Sequence, residues 1–156
     1  SDLGMQGGPI MSAIAAKAVA LHECQQSSYQ SYAKQVVVNA KALASALVAE
    51  GMRAISGGTE THLALIDVTG VGVTGKVADE RCGASGITLN KNSIPFDPNP
   101  PAVTSGIRVG TPAVTTQGMG VDQMHVIANL ITRAIKSDDA KEHAKIKSEV
   151  QSLVTK

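Results

Sequence analysis

One phenylalanine, two tyrosines and no tryptophan are all the aromatic side chains in this 156-residue chain. A core must therefore be built from Ala, Val, Ile, Leu and Met, and no aromatic surface exists on which bases could stack. Hydrophobic residues make up 43% and charged residues 17%, so the chain is neither a disordered segment nor a polyelectrolyte. Its length suits one domain-sized core. Lys and Arg number 14 against 13 Asp and Glu, a net charge of +1. A nucleic-acid partner is not expected, because binding phosphates draws on a basic excess. The longest uncharged run, Leu3–Ala16, contains Gln, Gly, Pro and Ser and is too short to span a bilayer, so no membrane partner is expected either. Cys24 and Cys82 lie far apart with no CxxC pairing, which points to a reducing, cytoplasmic setting.

Hydrophobic periodicity predicts the elements. Gln6-Gly7-Gly8-Pro9 reads as a turn with Pro9 as first helical residue, followed by Ile10, Ile14, Ala18 and Leu21 at helical spacing. After a polar break at Gln25–Ser28, the stripe Tyr29, Ala33, Val36, Ala40, Leu43, Leu47 predicts a second helix that ends at a left-handed Gly51. Ala54-Ile55 and His62–Val68 read as strands around a Ser56–Thr59 turn, and Thr74 caps a helix through Ala84. Ile87–Asn90 and Gly106–Val109 are short strands on either side of a proline-rich loop, and a Thr-rich loop is expected up to Gly118. Met124, Ile127, Ala128, Ile131 and Ile135 share one helical face. The segment Ala140–Val154 alternates charge signs and is expected to be a helix facing solvent. The order ααββαββαα implies an α+β fold, a small sheet covered by helices.

Several strings suggest chemistry. Gly70-Val71-Gly72-Val73-Thr74-Gly75-Lys76-Val77 has the spacing of a phosphate-binding loop after a strand. Val77, however, stands where Ser or Thr must hold magnesium, and the β-branched loop residues resist a tight anion nest, so a capped helix start is expected. His22, His62, His125 and His143 are scattered and show no metal-ligand spacing, so no metal site is expected. No G-x-S-x-G elbow occurs. Gly7 and Gly8 offer backbone N–H groups at a helix start, suited to phosphate but also to an ordinary turn. Arg108 lies in a short strand between Gly106 and Gly110, where a guanidinium could grip a carboxylate in bidentate fashion or form a structural salt bridge. Both remain open on residue type alone.

Taken together, five stretches resemble the C-terminal part of serine hydroxymethyltransferase. They are QGGPIMSAIAAKAVAL (Gln6–Leu21), YAKQVVVNAKALA (Tyr32–Ala44), SGGTETHLALID (Ser56–Asp67), GITLNKNSIPFD (Gly86–Asp97) and TSGIRVGTPAVTTQG (Thr104–Gly118). The resemblance implies the small C-terminal domain of a fold-type I pyridoxal-phosphate enzyme, with residues 1–26 ending the large cofactor-binding domain and 27–156 forming the small one. It implies a homodimeric or larger parent that interconverts serine plus tetrahydrofolate with glycine plus 5,10-methylenetetrahydrofolate, with pyridoxal phosphate as electron sink. By the same resemblance, Arg108 grips the substrate carboxylate, and Gly7 and Gly8 reach the cofactor phosphate of a neighbouring subunit. By that resemblance Asn92 faces the folate pterin, the alternative being a turn former ahead of Pro95.

The departures are informative. Asp2-Leu3-Gly4 replaces the family's Phe-Pro-Gly, Gln117 stands where Arg is frequent, and Glu60-Thr61 stands where Asp-Asn is common. The family's Schiff-base lysine follows a histidine, and no lysine here does. No catalytic residue is therefore assigned in this chain, and activity is expected only of a longer parent. The competing expectation is a free-standing, non-catalytic module that binds folate or an assembly partner.

Overall fold

The computed structural model describes residues 7–155. The predicted turn residue Gln6 and the divergent Asp2-Leu3-Gly4 lie outside them. Two compact units are distinguished, one running to Lys34 and one from Gln35.

The first unit holds α1 (Met11–Cys24) and the start of α2 (Ser27–Ala49). Ile10 is extended at the N-cap, so Pro9 precedes the helix instead of opening it. Gln25 and Gln26 form the break, and Ser27 already belongs to α2. Along α1 the apolar Ile10, Met11, Ile14, Val19 and Leu21 are all exposed.

In the second unit, α2 buries Val36, Ala40, Leu43 and Leu47 of the predicted stripe, whereas Tyr29 and Ala33, in the first unit, are exposed and half-buried. Gly51 takes φ +100°, with its N–H on the Val48 carbonyl and the Met52 N–H on Leu47, the paired bonds of a Schellman stop. Four antiparallel strands follow: β1 (Arg53–Ala54), β2 (Leu63–Asp67), β3 (Asn90–Asn92) and β4 (Gly106–Gly110), in the spatial order β1-β2-β4-β3. Ala64 and Ile66 on β2 pair with Val109 and Ile107 on β4 and face the core. There they join Leu43 and Leu47 of α2, Ala78 and Cys82 of α3 (Gly75–Ala84), and Met124, Ile131 and Ile135 of α5 (Val121–Lys136). No aromatic ring enters this core among the described residues.

Three elements differ from the sequence reading. The strand expected at Ile87–Asn90 lies two to three residues later, at Asn90–Asn92, where it pairs with β4. The Thr-rich segment after Thr111 contains the short helix α4 (Pro112–Thr116). Pro112 supplies a helical φ, and the Thr115 and Thr116 hydroxyls donate back to the Thr111 and Pro112 carbonyls. Five residues are too few for periodicity to register. The last helix, α6 (Ala140–Val154), does not simply face solvent: it buries His143 and Ile146, with Val150 and Leu153 packed against the core. Two of its charges are also spent inward, because Arg133 of α5 donates to Glu142 at 2.6 Å and to Glu149 at 2.7 Å.

A buried amide joins α2 to the far end of β4. Asn39, with no exposed surface, donates to Thr115 Oγ1 at 2.9 Å and the Met119 carbonyl at 2.8 Å, and accepts from Gln35 Nε2 at 2.8 Å. The Thr111 hydroxyl donates to the Val36 carbonyl at 2.8 Å. No helix among the described residues is long and apolar enough to cross a membrane.

The start of α3 is the tightest backbone contact. A Cβ on Gly75 would overlap Thr104 Oγ1 and the Gly106 carbonyl oxygen, whereas one on Gly83 in the same helix meets open space. Gly75→Ala should therefore destabilise the fold by about 1–3 kcal/mol through overpacking. Gly83→Ala should instead stabilise it by about 0.5 kcal/mol through lost unfolded-state freedom. Urea denaturation of the two variants checks this; midpoints that move the same way would contradict it.

Candidate functional site

Strand alternation divides β4 into two faces. Ile107 and Val109 are buried in the core, while Arg108 is exposed on the opposite face between Gly106 and Gly110. Its cross-strand neighbours on that face are Leu65 of β2 and Asn90 of β3. Asn92 lies diagonally across, opposite Gly106. Diagonal partners sit about 7–8 Å apart, within reach of one small ligand. A Cβ on Gly106 would come within 2.9 Å of the Asn92 carbonyl oxygen, so the bare glycine lets β3 approach β4 closely.

The chain has four arginines, and three are engaged. Arg53 pairs with Asp67 at 2.8 Å, Arg81 donates to the Ile135 carbonyl at 2.6 Å, and Arg133 holds Glu142 and Glu149. Arg108 alone has no hydrogen bond or ion pair from its side chain among the described residues. The salt-bridge reading thus lacks a partner, and a five-donor fork stands free on a rigid strand. It borders a recess of about 480 Å³ that also takes in His62, Thr88 and Asn90, with Leu63 and Leu89 as apolar walls.

Asn92 is half-buried; its amide donates to the Ser93 carbonyl at 2.7 Å, and its Oδ1 takes no donor among the described residues. The second unit thus brings Arg108 and Asn92 onto one sheet face. Gly7 and Gly8 belong to the first unit, exposed and without regular structure, and a Cβ on either would meet nothing within 4 Å.

The loop between β3 and β4 is organised by Asp97. Its Oδ2 accepts from the Ile94 N–H at 3.1 Å and the Ser105 N–H at 2.9 Å. Its Oδ1 accepts from the Asn99 N–H at 2.9 Å and the Ser105 hydroxyl at 2.6 Å. Desolvation pushes the carboxyl pKa up, but the hydrogen bonds from Ser105, Asn99 and Ile94 outweigh it and hold the value at about 2. Asp67 is shifted the same way: burial raises it, and the Thr69 hydroxyl and N–H with Arg53 more than offset that.

The other sequence candidates resolve into structural roles. The first donors of α3 are already used, since the Gly75 and Lys76 N–H groups bond the Thr104 and Val103 carbonyls and Thr74 Oγ1 accepts from Val77. A phosphate would find few free donors at that helix start, so the loop is a capped helix start. His143 is a buried histidine whose Nε2 lies 3.1 Å from the Ser137 carbonyl. No group of three metal-ligating side chains occurs among the described residues. Both cysteines are free thiols, and burial, helped by Asp79, raises the pKa of Cys82 to about 12.

The family model for serine hydroxymethyltransferase matches residues 3–131. The chain belongs to the serine hydroxymethyltransferase family. A serine hydroxymethyltransferase of Desulforapulum autotrophicum is 51% identical over 150 residues, covering 96% of this chain but 36% of that relative. The chain thus spans about a third of the curated relative's length and matches the C-terminal portion of the family. The described residues fit only part of the pyridoxal-phosphate chemistry of serine hydroxymethyltransferases. The recess beside Arg108 suits a carboxylate, but none of its lining residues is a lysine, so it offers no amine to anchor the cofactor's aldehyde. Sequence reasoning overlooked His62, Thr88 and Asn90 as neighbours of Arg108. Asn90 could have been found from the two-residue alternation Asn90-Lys91-Asn92, had the strand been placed there.

A group whose folded pKa is depressed contributes stability above its unfolded pKa and loses it as pH falls through the folded value. For Asp97 that window runs from about 4 down to about 2. The gap in urea midpoint between wild type and Asp97→Asn should be full at about pH 6 and close toward about pH 2. A gap unchanged across that window would contradict the carboxylate's role.

Proposed function

We propose that this chain is the C-terminal part of a serine hydroxymethyltransferase that interconverts serine plus tetrahydrofolate with glycine plus 5,10-methylenetetrahydrofolate. The observation that carries this reading is the unpaired Arg108, which stands between two glycines on a sheet face that also bears Asn92. Residues 1–26 would close the large cofactor-binding domain and residues 27–156 form the small domain of a cytoplasmic homodimer acting on small molecules. In the parent, pyridoxal phosphate supplies the electron sink for cleavage of serine.

Within this chain the work is binding and orientation. Arg108 takes the amino-acid carboxylate in two parallel N–H···O bonds, which fixes the amino acid in plane as a single point charge could not. Asn92, with a free carbonyl oxygen, receives a donor from the folate pterin. Gly7 and Gly8, unencumbered by side chains, present N–H groups to the cofactor phosphate of a neighbouring subunit. With no lysine at the recess, the chain alone forms no glycine from serine.

The test joins this chain to the portion of the Desulforapulum relative that it does not cover and compares wild type with Arg108→Lys. Lysine keeps the charge and loses the fork, so kcat/KM for serine should fall by about 10- to 100-fold, the equivalent of about 1.5–3 kcal/mol for a charged hydrogen bond. Unchanged kcat/KM, or glycine formation by the unjoined chain, would overturn the reading.

A further inference from the structure

β3 carries two of the polar side chains on the candidate site face, yet it is weakly held. It is an edge strand, bonded on one side only, through the three pairs Asn90↔Arg108, Lys91↔Ile107 and Asn92↔Gly106. A slip of one residue would turn Asn90 and Asn92 to the opposite face and put Lys91 beside Arg108. In the connection from β3 to β4, Pro95, Pro98, Pro100 and Pro101 have no N–H to donate, and the backbone bonds that do form, from Asp97 to Ile94 and from Val103 and Thr104 to Pro100, close local turns without joining the two strands.

We propose that Asp97 is a positioning residue that sets the register of Asn92 against Arg108. Its one carboxylate collects the Ile94 N–H, two residues beyond Asn92, and both donors of Ser105, three residues before Arg108. The two strands are thereby tied at the end of their short ladder. Ser105 carries the tie into the sheet, for it is fully buried and its carbonyl accepts the Val68 N–H at 3.0 Å, just past β2. The backbone beside the clamp is a tight turn, closed by the Asp97 N–H on the Ile94 carbonyl at 3.1 Å. Phe96 is held at φ +57°, a left-handed conformation unfavourable to a bulky residue, and its ring is fully exposed. Such a conformation persists only where the surroundings over-determine it, and here the turn's own backbone bond and the four bonds to the Asp97 carboxylate act on the same few residues.

The proposal rests on the reading of Arg108 and Asn92 given above, and two measurements separate them. Amide hydrogen exchange on the 156-residue chain reports the ladder directly. In Asp97→Asn, exchange in the β3–β4 pairs should be about tenfold faster while β2–β4 is unchanged. In the joined enzyme, the same variant should raise the KM for tetrahydrofolate by at least about tenfold with little change in kcat, since small misplacement of binding groups is costly. A merely structural role would lower the melting temperature and leave KM unmoved. Ser105→Ala removes one donor and should give a smaller effect in the same direction, which decides the matter if Asp97→Asn does not fold. Unchanged β3–β4 exchange overturns the proposal. So does an unchanged folate KM in Asp97→Asn when Arg108→Lys and Asn92→Ala both weaken their substrates. If those two controls bind normally, the reading of the site fails, while exchange still decides the clamp.

Discussion

The carboxamide of Asn39 is the polar contact on which the placement of the sheet depends. Buried in α2, it has three hydrogen bonds, two of which reach the segment that leaves β4 and turns into α5. A buried amide without partners would cost about 1–3 kcal/mol, so these bonds discriminate strongly between this packing and any slide of α2 along the sheet. Aliphatic side chains give no such directionality. In a core without aromatic rings, where Leu, Ile, Val and Met could interdigitate in several ways, a few directional bonds select one arrangement.

Electrostatics divides into spent and unspent groups. Arg53, Arg81 and Arg133 close a strand pair, a helix end and a helix–helix contact. The Arg133 fork is the fullest of these, with Glu142 and Glu149 drawn to it from two turns of α6 and the carboxyl of Glu149 pulled below its usual range chiefly by Arg133. Arg108 is the exception, and its freedom follows from its neighbours: glycine at 106 and 110 contributes no side chain, Ile94 beside Gly106 is apolar, and leucine and asparagine across the strands bring no charge.

Long periodic elements were legible from residues alone. The Val36–Leu47 stripe, the Met124–Ile135 face, the Thr74 cap and the Gly51 stop appear where spacing and turn chemistry put them. Short or doubly determined elements were not. β3 is displaced because Ile87 and Leu89 pack against the core from a non-strand segment, so hydrophobicity pointed a few residues too early. α6 reads as solvated because its charges outnumber its inward residues, and partners on α5 cannot be seen in one segment's pattern. Arg108 was visible as a candidate, but its lack of a partner is a fact about every other side chain in the fold.

Position 75 shows how a motif can be spelled for reasons unrelated to its usual meaning. The glycine that completes a phosphate-loop-like string is required by the carbonyl of Gly106 and the hydroxyl of Thr104, which leave no volume for a methyl group. A steric demand from one strand has thus written a letter that a pattern search would credit to nucleotides. Any descendant of this chain that keeps the α3–β4 contact will keep that glycine, whatever it binds.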